Sequence, residues 1–165
     1  MTLRVAKTVL VFAVALFYCF VVFNNVTDYN SNYQFIRHVL MMDSTFPNNQ
    51  GMWRAINSPA IHTVFYISII AWESITMLLS WAGAIRLARS LTATSVAFHQ
   101  GKRTAIIALT LSLLMWLVAF LSVGAEWFLM WQSKTSNGQE AAFRMFTIIA
   151  LILIFVTLPD TDQQP

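Results

Sequence analysis

FYISIIAWESITMLLSW, Phe65–Trp81, is an apolar run with one acid, Glu73, near its centre. Extended from Pro59 to Ile85, it exceeds the roughly 20 apolar residues a helix needs to cross a hydrocarbon core of about 30 Å. Three further segments match it: Val5–Phe23, Thr104–Trp127 and, somewhat shorter, Ala142–Leu158. Of the 165 residues, 58% are hydrophobic and 10% charged. Soluble domains sit near 45–50% and about 25%. The pattern predicts one all-α membrane domain over 1–165, a four-helix transmembrane bundle.

Start and stop signals agree with the spans. Ser58 precedes Pro59, which pairs an N-cap with a residue suited to the first helical position. Ser136-Asn137-Gly138 reads as a turn between the third and fourth spans, and Pro159 ends the fourth. Arg4 and Lys7 precede the first apolar run as they would in a signal peptide. The only Ala-x-Ala near the N-terminus, Ala13–Ala15, lies inside that run, so the segment is expected to stay as a span. The single cysteine, Cys19, excludes an intramolecular disulfide and a cysteine-rich metal site.

Lysine and arginine in short loops set orientation. The N-terminus carries Arg4 and Lys7, and the basic connection 86–103 carries Arg86, Arg89, Lys102 and Arg103. The opposite side has Arg37, Arg54 and Lys134, with Arg144 at a span edge. Both termini are therefore expected in the cytoplasm. Asp160 and Asp162 in the tail count little in this rule. Trp53, Trp127 and Trp131 then fall at the outer interface and Trp81 at the inner one.

The outer loop, 24–58, is too long for a tight connection and must carry structure of its own. Within Ser31–Met42, Tyr33, Ile36, Val39 and Leu40 recur at helical spacing, predicting a short amphipathic helix over Tyr33–Met41. The run NNVTDYNSNYQFIRHVLMMDSTFPNNQGMWRAI, Asn24–Ile56, resembles an uncharacterised bacterial family of predicted small integral membrane proteins. Nearly the whole chain shares the likeness. The resemblance implies a multi-pass protein of the bacterial inner membrane. It implies no activity and transfers no site residues.

Two polar constellations remain. On a helical wheel, His62, Tyr66, Glu73, Thr76 and Ser80 share one band of the second span. Such a track either lines a proton path or joins helices through buried hydrogen bonds, the commoner use of Ser and Thr in packed spans. The third span has its own stripe, Ala108, Ser112, Met115, Ala119, Ser122 and Glu126, suited to close packing on the second. No cation shares the depth of Glu73. It is expected as a neutral, hydrogen-bonding acid, with Ser112 as a candidate acceptor.

The second constellation is an outer polar layer: Asp28, Arg37, His38, Asp43, Arg54, Glu126 and Arg144. It reads as ion-pairing that ties the loop down, or as a capped pocket. Glu126 and Arg144 are expected to pair. The three histidines, His38, His62 and His99, cannot present two haem ligands at one depth within the spans, and no zinc spacing appears. No cofactor is expected, and no catalytic or phosphate-binding motif is present. The basic connection suits anionic lipid, not nucleic acid. Two functions follow as expectations. The first is an accessory or binding subunit that joins a larger membrane or envelope complex through its outer loop. The alternative is a small solute carrier or proton-coupled channel using Glu73.

Overall fold

A computed structural model describes residues 1–160 as an all-α chain. Four long apolar helices are joined by a shorter one: α1 (Thr2–Thr27), α2 (Tyr29–Met41), α3 (Pro59–Arg89), α4 (Ser95–Leu114, continued by a π-helical segment Met115–Trp127) and α5 (Gln139–Thr157). At 1.5 Å per residue, the 31 residues of α3 reach about 46 Å, well beyond the hydrocarbon core. Its last turn holds Arg86 and Arg89, cations that suit the negative end of the helix dipole.

The expected basic loop 86–103 is mostly helical. Only residues 90–94 separate α3 from α4. The reason is a cap: Thr94 accepts from the Ala97 N–H through its hydroxyl (3.3 Å) and from the Phe98 N–H through its carbonyl (2.9 Å). Such a cap satisfies amides that the first turn would leave unpaired. The expected loop helix is present, and it starts four residues early, at Tyr29. Met42 closes it in the left-handed conformation (φ 53°), with its side chain buried.

The second half of the third span departs from a regular helix. From Met115 to Trp127 the backbone bonds to the fifth residue back. Phe128 N–H donates to the Val123 carbonyl at 3.0 Å, and the Ser122 hydroxyl donates to the Leu117 carbonyl at 2.8 Å. This winding puts more residues in each turn than 3.6, so a stripe drawn at helical spacing drifts off one face. Ala108, Ser112 and Met115 are buried, whereas Ser122 and Glu126 are exposed.

The chain divides into two compact units. A terminal unit gathers Met1–Val21, Glu73–Leu113 and the chain from Thr147. A loop unit gathers Val22–Trp72 and Leu114–Phe146. In the terminal unit, Val11, Ala15 and Tyr18 of α1 are buried, as are Leu87 of α3 and Phe98 and Leu109 of α4. Gly83 lets α3 lie against α4: a Cβ there would come within 2.7 Å of the Ala105 backbone. Small residues at such crossings permit close packing in membranes.

Candidate functional site

The loop unit is built around α2. Val39, Leu40 and Met42 form one apolar cluster with Ala125, Phe128 and Met130. Backbone and side chains then stitch the long connection down. Ile56 N–H donates to the Leu40 carbonyl (2.8 Å). His62 Nε2 donates to the Ile56 carbonyl (2.7 Å), and its buried Nδ1 has no hydrogen-bond partner among the described residues. Ser44 and Ser133 share a hydrogen bond (2.7 Å). Gln132 Oε1 accepts from the Phe46 N–H (3.2 Å) and from Asn49 Nδ2 (3.3 Å). The Tyr66 hydroxyl donates to the Asn25 carbonyl (3.0 Å), and the Tyr29 ring stands 4.7 Å from that of Tyr66.

Two surfaces of this unit are open. One is an aromatic ridge. Trp53, 74% exposed, meets Trp127 edge to face at 5.8 Å. The Arg54 guanidinium stands over both rings, at 5.7 and 5.5 Å. Phe46 and Trp131 make a second exposed pair at 5.8 Å. The other is a cavity of about 220 Å³. Phe35 and Ile36 of α2, Phe65 and Trp72 of α3, and Ala119 and Val123 of the π-helical segment are among its walls.

The expected polar track is buried throughout: His62 and Tyr66 in the loop unit, and Glu73 (4% exposed), Thr76 and Ser80 in the terminal unit. The Ser80 hydroxyl has no hydrogen-bond partner among the described residues. Ser112, the acceptor suggested for Glu73, lies with its hydroxyl 2.7 Å from that of Tyr18.

The outer polar layer resolves into local pairs. Asp28 accepts from the Ser31 hydroxyl (2.9 Å), Arg37 donates to Gln34 (3.1 Å), and His38 Nδ1 meets Asp43 at 2.7 Å. Arg54 reaches the backbone carbonyl of Glu126 at 3.5 Å. The expected Glu126–Arg144 pair is not formed. Both side chains are exposed, and no ion pair joins them among the described residues. The π-helical winding carries Glu126 away from the position that a regular helix would give it.

One cluster escaped the sequence reading. Lys7 and Lys102 both grip Asp160, Lys7 at 2.9 Å. Both ammonium groups also donate to the Leu158 carbonyl at 2.7 Å, one of the unpaired carbonyls at the end of α5. All three side chains are buried. Burial pushes the Asp160 carboxyl up, but hydrogen bonds and charge from Lys102 and Lys7 outweigh it and hold the group below its ordinary range. Nearby, Arg4 donates to the Ala93 carbonyl (2.6 Å) and stands 5.2 Å above the Phe98 ring. Two lysines and an acid flanking spans were the available signal. Charge counting used the lysines for orientation and set Asp160 aside.

No curated protein and no solved structure matches the chain. A family model of predicted small integral membrane proteins, DUF2165, matches residues 3–159. A match over nearly the whole length, on a chain with four helices long and apolar enough to span a bilayer, decides the family. The chain is a multi-pass integral membrane protein of the DUF2165 family.

Proposed function

We propose that the protein is an accessory or binding subunit of a larger membrane complex, acting through its loop unit. The observation that carries this reading is the aromatic ridge: Trp53 and Trp127 exposed and in edge-to-face contact, with the Arg54 guanidinium over both rings, on a unit that has its own buried core. Tryptophan and arginine are the side chains most enriched at the centres of protein interfaces. A loop needed only to join two spans would not require a cluster such as Val39, Leu40, Phe128 and Met130 beneath it. On this reading the loop unit faces the extracytoplasmic side of a bacterial inner membrane, with both termini in the cytoplasm. Lysine and arginine placement supports that orientation. The burial of Glu73, Thr76 and Ser80 favours a packing role for the polar track over a proton path.

The test is purification of the tagged full chain in mild detergent, with quantitative mass spectrometry of what accompanies it. A reproducible membrane protein should be retained, and the double substitution Trp53→Ala, Arg54→Ala should reduce it by about tenfold or more. A homogeneous chain without companions that moves protons or a solute across liposomes would overturn the reading in favour of a carrier.

A further inference from the structure

The cavity of the loop unit carries an inference independent of any protein partner. Its lining is almost wholly apolar. Among the described residues that line it, Ser68 supplies the only hydroxyl, and that hydroxyl donates to the Phe65 carbonyl at 2.7 Å. A polar ligand would lose its hydration there without finding new partners. The volume, about 220 Å³, exceeds the roughly 150 Å³ at which an apolar cavity stays dry and accepts a benzene-sized guest. A longer hydrocarbon segment therefore fits.

Two features say where it comes from. Ser68 and Val118 line the cavity and remain exposed, Val118 at 40%. Ser68 lies nine residues into α3, about 14 Å along the helix from Pro59. With the cations Arg86 and Arg89 at the far end of α3 kept outside the core of about 30 Å, that position sets the opening against hydrocarbon, where a lipid tail would meet it. The space itself depends on the π-helical segment, which sets small Ala119 and Gly124 on the wall. Such segments are rare and tend to occur at functional sites.

We propose that this cavity holds one hydrocarbon chain of a membrane lipid, entering sideways from the bilayer with its head group left outside. The chemistry is that of a flexible alkyl or prenyl tail.

The test uses the full chain in phospholipid vesicles containing a phosphatidylcholine with a diazirine at the end of one acyl tail. After illumination, labelled positions are mapped by mass spectrometry. Label should concentrate on Phe35–Leu40 and Val118–Met130, above that on Leu151 and Ile154, which are simply exposed. Ala119→Phe fills the space, and Ser68→Phe blocks the opening from another helix should the first variant fold poorly. Either should lower cavity labelling by about tenfold and leave Leu151 unchanged. Competition by added oleate or by farnesol supports the site, and the stronger competitor identifies the tail. Cavity label no higher than at Leu151, or equal in wild type and both folded variants, overturns the proposal.

Discussion

Replacing Asp160 with asparagine tests the packing of the terminal unit at its most charged point. The change keeps an acceptor but removes the only negative charge that pairs with Lys7 and Lys102 among the described residues. At an effective dielectric of about 20, charges 2.9 Å apart attract by roughly 6 kcal/mol. Both ammonium groups sit 2.7 Å from one carbonyl oxygen, so they repel each other at roughly 4–5 Å, by about 3–4 kcal/mol. With the carboxylate present, two attractions outweigh one repulsion. Without it, two buried cations face each other across a neutral amide. Desolvation offsets part of each figure, and breaking such a cluster typically costs about 3–5 kcal/mol. For a chain of this size that is roughly a 10 °C loss in melting temperature. Thermal unfolding in detergent, followed by circular dichroism, reads it directly. Adding Lys7→Met to Asp160→Asn should restore part of the loss, because one cation then has the Leu158 carbonyl to itself. The pH dependence has a definite sign. The folded state holds Asp160 below its ordinary range, so its contribution is present above the unfolded value of about 3.9. It is lost as pH falls through the lower folded value. The gap between wild type and Asp160→Asn should be full at neutral pH and close in acid. A melting temperature unchanged by Asp160→Asn, or a gap independent of pH, would refute the reasoning.

Three further outcomes are expected. Leu40→Asp should remove about 3 kcal/mol or more of stability, because Leu40 is buried in the cluster beneath the loop; protease resistance of residues 43–58 would report it. Gly83→Leu should disrupt α3–α4 packing, since even a Cβ would come within 2.7 Å of the Ala105 backbone; loss of monodisperse folded protein on size-exclusion chromatography checks it. Neutralising Glu126 and Arg144 singly and together should give additive changes within about 0.5 kcal/mol, because the two do not pair, and a non-additive thermal melt would contradict their separation.

The spans were legible because four apolar runs of sufficient length leave a chain few alternatives in a bilayer. The helix α2 was legible from Tyr33, Ile36, Val39 and Leu40 at helical spacing, and its burial is visible at Val39 and Leu40. What escaped was local backbone winding. Met115–Trp127 holds no proline, and its one glycine, Gly124, does not by itself announce a change of winding, so the stripe ending at Ser122 and Glu126 was drawn at 3.6 residues per turn, and the pairing with Arg144 fell with it. The cavity escaped for the same reason, since one of its walls is that winding. The short connection at 90–94 was hidden by charge: Arg86–Arg103 looks like a loop by composition, while Thr94 caps a helix within it. Asp160 was discounted because topology rules weigh cations, whereas its role lies in where Lys7 and Lys102 converge.

The most direct test of the binding-subunit reading is photocrosslinking in living cells with benzoylphenylalanine placed one position at a time. Substituted at Trp53 or Phe46, on the ridge of the loop unit, the probe should give discrete protein adducts of fixed mass. Substituted at Leu151, 63% exposed on α5, it should give none. Discrete adducts confined to the ridge are the predicted result. No adducts at Trp53 and Phe46, or the same adducts at Leu151, would contradict the claim that the loop unit is the binding surface.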